Sequence, residues 1–597
     1  MIPTTARSAF PSLLPAAMPA ILRSVSSRML GFDEIARMYS TLASQDASRP
    51  LWDLLLDHMN VSCQVADGDL ELIPRTGPVV VVANHPFGLL EGAVLAVLLR
   101  RIRPDARFLA NELLESIPDL RDLVISVDPM SGRESVARNS RGLRRALEFV
   151  AGGGMLVVFP AGEVSHYQWR ERRVEDSHWS PSIARFIKHA AARDSKLSVL
   201  PVFVNGSNSA LFQASGFAHP RLRTALLVRE LLNKKGRAVD LRIGKPIDSS
   251  TLLGLSSDRE RIDYLRWRTY LLRNRLEFKP ETRKPAIWKQ WLNRTPEPLA
   301  ADVPASSMAR EIEALPSTQR LASSGDLECY IAAQNQIPNT LREIGRLREA
   351  TFRRAGEGTG RSTDLDHFDS HYQHLFVWNA SKHEVAGAYR LAETDSVRRR
   401  FGVNGLYTAT LFRVGDPFLD ALGPAVELGR SFVRPEYQKS FATLLLLWKG
   451  IGQFVDRNPR CKVLFGPVSI SNKYQRVSRD LMISFLEQRA SVSALAGLVR
   501  ARKPPRKATE KALCTSVEQL SDVVAELEPD RAGVPVLLRQ YLRLGGKLLG
   551  FNVDSQFSDS LDGLILVDLT QTEPKLLERY LGRSEARRFL DYWKGQS

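Results

Sequence analysis

Residues 82–92 read VANHPFGLLEG and residues 159–166 read FPAGEVSH, and these two stretches decide the fold. Each continues an apolar run of β character, PVVVVA at 78–83 and MLVVF at 155–159. An Asn-His pair at a strand end, then a Pro-Gly turn, then an acid, sets an imidazole (His85) and a carboxylate (Glu91) at the mouth of a sheet. That pair is what a hydroxyl needs to lose its proton during acyl transfer. A lone loop histidine is ordinarily just satisfied by its neighbours, but here both blocks occur, in order. Six residues span about 600° of helix, so His85 and Glu91 cannot share one face of a regular helix. His85 must therefore lie in the loop before it, which Pro86 and Gly88 permit.

Outward from these blocks the chain alternates strands with helices. Helical pattern, with WDLLLDHM as its apolar stripe, is expected over about 30–75. Strand 79–83 leads to helix 89–102. Strand 107–110, a helix near 112–122 and strand 124–128 come next. Helix 135–150 runs through Gly152-Gly153-Gly154 into strand 155–159, and helix 182–193 precedes strand 197–206. This alternation predicts an α/β unit with a mostly parallel sheet covered on both faces.

The two blocks resemble the glycerolipid acyltransferase family, whose first block is Asn-His, four residues, Asp, and whose third is Phe-Pro-Glu-Gly-Thr. LPVFVNG and the IGKPI strand at 243–247 fit the same family, and the resemblance covers roughly residues 50–290. The chain departs from the pattern twice: Glu91 stands six residues after His85, and Ala161 replaces the motif Glu. It is closer to a branch once named hemolysins, with blocks like NHPFG-x-x-EG and FPAG. The resemblance implies that His85 is the general base, that Glu91 orients it, and that Asn84, Gly88, Phe159, Pro160, Gly162 and Glu163 line the substrate.

Composition bounds the partners. A chain of 597 residues is too long for one core, so two or three domains are expected. The net charge of +17, from 83 basic and 66 acidic residues, suits an anionic partner. No nucleic-acid motif and no aromatic-interleaved basic stretch occurs, which leaves a phospholipid surface or an acidic carrier protein. Cys63, Cys329, Cys461 and Cys514 are far apart, with no metal-ligand spacing, so neither a metal site nor a disulfide framework is expected. A reducing cytoplasm is the default. No run of 18 uncharged apolar residues occurs, so no spanning helix is expected. AFPSLLPAAMPAILRSV (9–25) reads either as an interfacial anchor, through Phe10, Leu13, Leu14 and Ile21, or as an unpinned terminus.

From about 280 to 325 the periodicity dissolves into KPETRKPAIWKQWLNRTPEPLAADVPASS, a Pro- and charge-rich linker pattern. A second unit then begins: strand CYIAA, an amphipathic helix over 337–355, a hairpin of HLFVWNA and VAGAYRLAE, strand 426–437, helix 443–457 and strand 461–471. Within it stand LREATF with Arg348 and Phe352, DLDHFDSHYQHL with Asp366, Phe368 and Asp369, AGAYRL with Arg390, and ELGRSFV with Glu427, Arg430 and Phe432. The ordered series resembles the N-acyltransferase (GNAT) fold of acetyltransferases and acyl-homoserine lactone synthases. It is closer still to the ornithine-acyl carrier protein N-acyltransferases. Acetyl-CoA enzymes cradle the pyrophosphate in a Gly-rich turn before a helix. Here that turn is Gln438-Lys439-Ser440-Phe441-Ala442, without glycine, so acyl carrier protein is the expected donor and no cofactor is expected.

Two such units on one chain resemble the bifunctional ornithine lipid synthases. That resemblance implies two α/β domains: a candidate membrane-associating segment at 1–49, an O-acyltransferase domain at 50–290, a linker at 291–324 and an N-acyltransferase domain at 325–597. The C-terminal domain would transfer a 3-hydroxyacyl group to the α-amine of an amino acid, ornithine above others. The N-terminal domain would then acylate the 3-hydroxyl, at the cytoplasmic face of the inner membrane. Glu427 is expected to take the amine proton. Asp366 and Asp369 are expected to hold the cationic amino acid, and Arg390 its carboxylate or the donor carbonyl. Arg348, Phe352 and Arg430 are counted with the substrate-binding set. Three alternatives stand beside this reading: a C-terminal unit that makes a diffusible lactone or acylates another amino acid such as glycine or glutamine, a non-enzymatic membrane-binding protein, which would need both site series to be vestigial, or an ordinary lysophosphatidate acyltransferase in the N-terminal half. Ala161 argues against the last.

Overall fold

The computed structural model describes residues 32–45, 49–66, 68–111, 120–127, 133–218, 220–275, 296–491 and 493–595. The chain divides into two compact units, Met1–Glu277 and Phe278–Ser597. Phe10, Leu13, Leu14 and Ile21 of the expected anchor, and residues 112–119 of one expected helix, lie outside the described residues.

In the N-terminal unit one sheet runs in the order β1-β9-β8-β2-β5-β3-β4, with β10 beside β8. Its strands are β1 (Ser62–Val65), β2 (Val79–Ala83), β3 (Arg107–Asn111), β4 (Val124–Val127), β5 (Met155–Val158), β8 (Ser198–Asn205), β9 (Ala238–Ile243) and β10 (Ile247–Asp248). A separate hairpin joins β6 (His166–Gln168) to β7 (Arg173–Glu175). Central strand β2 is parallel to both β5 and β8, and all five of its residues are buried. A strand covered on both faces has no solvent side to mark with polar residues, which is why it reads as an unbroken VVVVA. Helix α1 (Leu89–Ile102) follows it and sends Leu90, Ala93, Val94, Leu95 and Leu99 into the core at helical spacing. Both sequence blocks thus begin at the carboxyl ends of neighbouring parallel strands, where open α/β sheets place their ligands.

Two details differ from the sequence reading. The helical stretch expected over 30–75 contains a strand, β1, which pairs parallel with β9 at the sheet edge. The IGKPI strand ends at Ile243, and β10 starts afresh antiparallel to β8, because Pro246 has no N–H to continue a ladder.

The C-terminal unit is built on the sheet β11-β12-β13-β14-β16-β17-β20-β19. These are β11 (Arg320–Ser324), β12 (Leu327–Ala333), β13 (Gln373–Asn379), β14 (Glu384–Glu393), β16 (Ala425–Val433), β17 (Val463–Ile470), β19 (Lys547–Asp554) and β20 (Ser560–Asp568). Short strands β15 (Phe412–Arg413) and β18 (Arg500–Ala501) pair separately. Helix α2 (Pro338–Ala355) packs with Tyr330, Ala332, Phe376 and Phe432. Helix α3 (Ala442–Arg457) lies on the other face, where Gly450 comes so close to Cys329 that a Cβ would stand 2.5 Å from its sulfur. The linker expected over 291–324 is shorter than its composition suggested: Ala305–Glu313 is a helix burying Met308 and Ile312, and β11 is an edge strand of the sheet.

Two irregularities open this sheet. Between β14 and β16, Arg390 faces Gly429 and Ala388 faces Phe432, so Arg430 and Ser431 bulge opposite Tyr389. Arg430 takes φ 49°, a left-handed conformation that costs a non-glycine residue about 1–3 kcal/mol. Ahead of the bulge, β16 and β17 are parallel partners over only three residues, 425–427 with 463–465. Residues 428–433 and 467–469 then line opposite sides of a cavity of about 880 Å³.

Candidate active sites

His85 occupies the loop between β2 and α1, as the helical-periodicity argument required. Its Nδ1 lies 2.8 Å from Glu91 Oε1, a close charge contact bent away from an aligned hydrogen bond. Glu91 is fully buried in the first turn of α1, and the same oxygen accepts the Phe87 and Gly88 N–H groups at 3.0 and 2.9 Å. Those two donors and the helix N-terminus satisfy the carboxylate away from water. Gly88 carries φ 103°, and a Cβ there would meet Leu227 at 3.1 Å, so glycine is required for the chain to turn back onto its own helix. The imidazole stacks on Phe159 of the second block, centroids 4.3 Å apart, and its side chain keeps 19% exposure. With Nδ1 against Glu91, Nε2 is the nitrogen left for a substrate hydroxyl. Burial alone would lower the imidazole, but Glu91, helped by Asp176, outweighs it, so His85 titrates above the ordinary 6.5.

Asn84 is engaged by the fold. Its side chain donates to Val204 O at 2.9 Å and accepts from Val204 N at 2.7 Å, tying the loop to β8. Pro160 accepts from Ser180 N, Gly162 is exposed with φ 69°, and Glu163 is half exposed, 3.7 Å from Arg223. Of the second block, Phe159 is the residue stacked on the His85 ring.

Asp176, which the sequence reading missed, fixes the two blocks together. It accepts from the His85 N–H at 3.1 Å, from Ser165 Oγ and from Trp179 Nε1 at 2.8 Å, while Ser165 N–H donates to His85 O. Burial raises the Asp176 carboxyl and these donors oppose the rise. Its only sequence signal was an acid beside Trp179 and His178, with no fixed spacing to His85.

In the C-terminal unit the expected residues form two groups. Arg348 donates to Asp369 at 2.9 Å, Arg390 donates to Asp366 at 2.6 Å and lies 3.3 Å from Asp369, and Arg430 lies 3.2 Å from Asp364. Arg348 and Arg390 are buried. Burial pushes Asp369 up, but Arg348 and Arg390 overcome it and hold the carboxyl well below the usual range. Asp366 and Asp369 are thus occupied in bracing arginines and do not line the cavity. Arg430 and Phe352 do, with the guanidinium of Arg430 over the Tyr407 and Phe557 rings at 4.8 and 4.9 Å.

Glu427 lies at the apex of the β16–β17 fork but has no oxygen to spare. Tyr372 OH and Tyr407 N–H donate to one oxygen, and Thr408 N–H and Oγ1 donate to the other. A buried carboxylate with four donors holds a loop in place; as a proton acceptor it would first have to surrender them. The cavity wall supplies other acids that the sequence reading did not single out: Glu357 after α2, Asp554 at the end of β19 and Asp562 in β20. An Asp inside the apolar strand SLDGLILVD was the available signal.

Residues 56–279 match the family described as Acyltransferase, and residues 347–449 match the Acetyltransferase (GNAT) domain. The chain is 32% identical over 266 residues to the glycine N(alpha)-acyltransferase of Bacteroides thetaiotaomicron, covering 42% of this chain and 79% of that protein. It is 30% identical over 265 residues to the L-ornithine N(alpha)-acyltransferase of Rhodobacter capsulatus, covering 41% and 93%. It is also 25% identical over 191 residues to the lyso-glycine lipid O-acyltransferase of B. thetaiotaomicron, covering 30% and 65%. A lipid-acyltransferase unit and a GNAT unit on one chain, with relatives of both kinds, make this a bifunctional acyltransferase that belongs to the amino-acid N(alpha)-acyltransferase family.

Proposed function

We propose that the chain makes a two-chain aminolipid. The C-terminal unit transfers a 3-hydroxyacyl group from acyl carrier protein to the α-amine of an amino acid, ornithine, and the N-terminal unit acylates the exposed 3-hydroxyl. The observation that carries this reading is the His85–Glu91 pair, a base for a hydroxyl, on the same chain as a GNAT unit for an amine. In the second step the hydroxyl oxygen attacks the thioester carbonyl, its proton passes to His85 Nε2, and the thiolate leaves and recovers that proton. Glu91 stabilises the imidazolium formed between these events.

Carrier protein as donor is supported by two features. Ser440 Oγ already caps Ala442 N–H at the start of α3, leaving no glycine-lined pyrophosphate cradle. The cavity rim also carries the exposed cations Arg354, Lys439 and Lys473, suited to an acidic partner. The unpaired inner edges of β16 and β17 offer backbone groups to the amides of a phosphopantetheine arm.

The lipid product places the protein at a membrane surface. No described helix is long and apolar enough to cross one. The β6–β7 hairpin, however, projects Trp169 at 70% exposure beside exposed Arg170, Arg172 and Arg173. Exposed cations also mark 498–511, at Arg500, Arg502, Lys503, Arg506, Lys507 and Lys511. Such groups suit the anionic cytoplasmic leaflet of the inner membrane.

Mass spectrometry of lipids from a host lacking aminolipids, expressing this chain, tests the proposal. An N-acylated, O-acylated ornithine lipid is expected. A diffusible lactone, or an unchanged lipid profile, overturns it. The glycine relative at 32% identity favours a second reading, glycine as acceptor, which the same extracts decide.

A further inference from the structure

The cavity of the C-terminal unit has more negative than positive charge in its inner wall. Asp562 is the third residue of β20, opposite Ser469 of β17 and Asn552 of β19. It is 5% exposed and lines the cavity, and no described residue donates a hydrogen bond to its carboxylate. The charges in its reach are Asp554, Glu357 and Arg430. Glu357 accepts from Ser469 Oγ at 2.8 Å. Arg430 is already shared, 3.2 Å from Asp364 and 3.7 Å from Asp366. Three carboxylates therefore face one committed guanidinium, with Lys473 in charge reach of Glu357 alone and itself donating to Arg354 O, inside a hollow large enough for an acceptor and the end of an acyl arm.

Burial, then the two like charges, push Asp562 well above the ordinary carboxylate range, and burial raises Glu357 as well. Glu357 has the Ser469 hydroxyl and Asp554 the Gln556 N–H as donors, whereas Asp562 has none among the described residues, and a buried carboxylate without a donor marks a place where a positive ligand is missing. A metal ion does not fit: among the described residues no three such side chains converge closely enough to hold one. Separate ammonium groups do fit, because each needs only one or two acids and brings its own N–H donors.

We infer that Asp562, Glu357 and Asp554 form the ammonium site for the amino-acid acceptor, with Asp562 meeting the α-ammonium and taking its proton, and Glu357 and Asp554 meeting a second, side-chain ammonium. This rests on the reading of the C-terminal unit as an amino-acid N-acyltransferase. The reaction then balances. The α-ammonium gives one proton to Asp562, and the freed amine attacks the thioester carbonyl. The C–N bond forms as the C–S bond breaks, the second nitrogen proton goes to the departing thiolate, and Asp562 returns its proton to water. A one-ammonium acceptor satisfies Asp562 alone; a diamino acid satisfies all three, so the pocket selects diamino acids over glycine.

The test uses the full chain with a 3-hydroxyacyl carrier protein and either ornithine or glycine. For Asp562→Asn, kcat/KM should fall about 100-fold with both acceptors, the loss expected when one partner of a buried charge pair is removed. For Glu357→Gln, the KM for ornithine should rise about tenfold while glycine is unaffected. Titration of ornithine into the protein without donor should show the same weakening, and Asp562→Glu should recover part of the lost rate; thermal melting checks that the variants fold. Wild-type kinetics in Asp562→Asn, or equal losses for both acceptors in Glu357→Gln, overturn the inference while leaving the acyltransferase reading intact. A wild-type chain that transfers to no amino acid overturns that reading and this site with it.

Discussion

On the proposed function, the two units face opposite problems of nucleophile activation. In the N-terminal unit one base, His85, is backed by one buried acid and left open on its far side. In the C-terminal unit, arginines, aromatic rings and carboxylates surround a deep hollow, and His374, buried against Arg348 and pushed down to about 4, is too weak a base to help. An alcohol needs a strong base at the moment of attack; an amine needs only to be held and relieved of a proton. The difference is clearest in two buried glutamates. Glu91 touches an imidazole, and Glu427 touches loop donors.

The largest expected effect is that of His85→Ala. Ester formation should fall about 10³-fold, in the usual range for loss of a general base, with amide formation unchanged. Lipid extracts should then accumulate a mono-acylated lyso-aminolipid; equal loss of both steps would erase the contrast between the units.

Glu91→Gln should cost ester formation about 10²-fold, as removal of a group that orients and charges a base. It should also move the pH profile. His85 is active when neutral and titrates above 6.5, so activity is lost as pH falls through that raised value. Without the carboxylate that acid limb should shift to lower pH, and an unmoved limb would mean that Glu91 does not set the titration of His85.

Glu427→Gln should reduce amide formation only about tenfold, because the amide keeps most of the loop's donors paired and loses about 1–2 kcal/mol. Initial rates with purified chain check this; abolished activity with an unchanged melting temperature would restore Glu427 as the amine's base.

The smallest effect concerns the surface. Replacing Arg170 and Arg172 by Ala should weaken binding to anionic vesicles by about 1 kcal/mol per cation, and salt should weaken it further. Flotation that ignores lipid charge would leave Trp169 insertion as the sole contact of this hairpin.

What was legible in the sequence follows the range of the interactions. β2, β5 and the intervening helices announce themselves locally, since each run carries its own periodicity, and the NHPFG turn carries its own geometry. Pro304 and its neighbours hid the helix Ala305–Glu313, whose buried face is only Met308 and Ile312. β11 gains its identity from β12, not from its own residues. Asp176 reaches His85 across 91 residues of chain, and Asp562 meets Glu357 only because β20 pairs with β17. Single acids at such distances leave no spacing to read. For Asp366, Asp369 and Glu427 the motif was visible but the role was not, because residue order does not say whether a carboxylate faces the cavity or the frame.

The partial exposure of His85 has a further meaning. A base whose outer nitrogen is open to a long-chain alcohol is open to water as well, and water is present at about 55 M, the concentration of the bulk liquid that solvates the exposed edge. On the proposed function, a bound thioester is therefore liable to hydrolysis rather than esterification before the lyso-lipid arrives. The acyl acceptor itself serves as the stopper of the site, and its absence should be measurable as free fatty acid leaking from the donor.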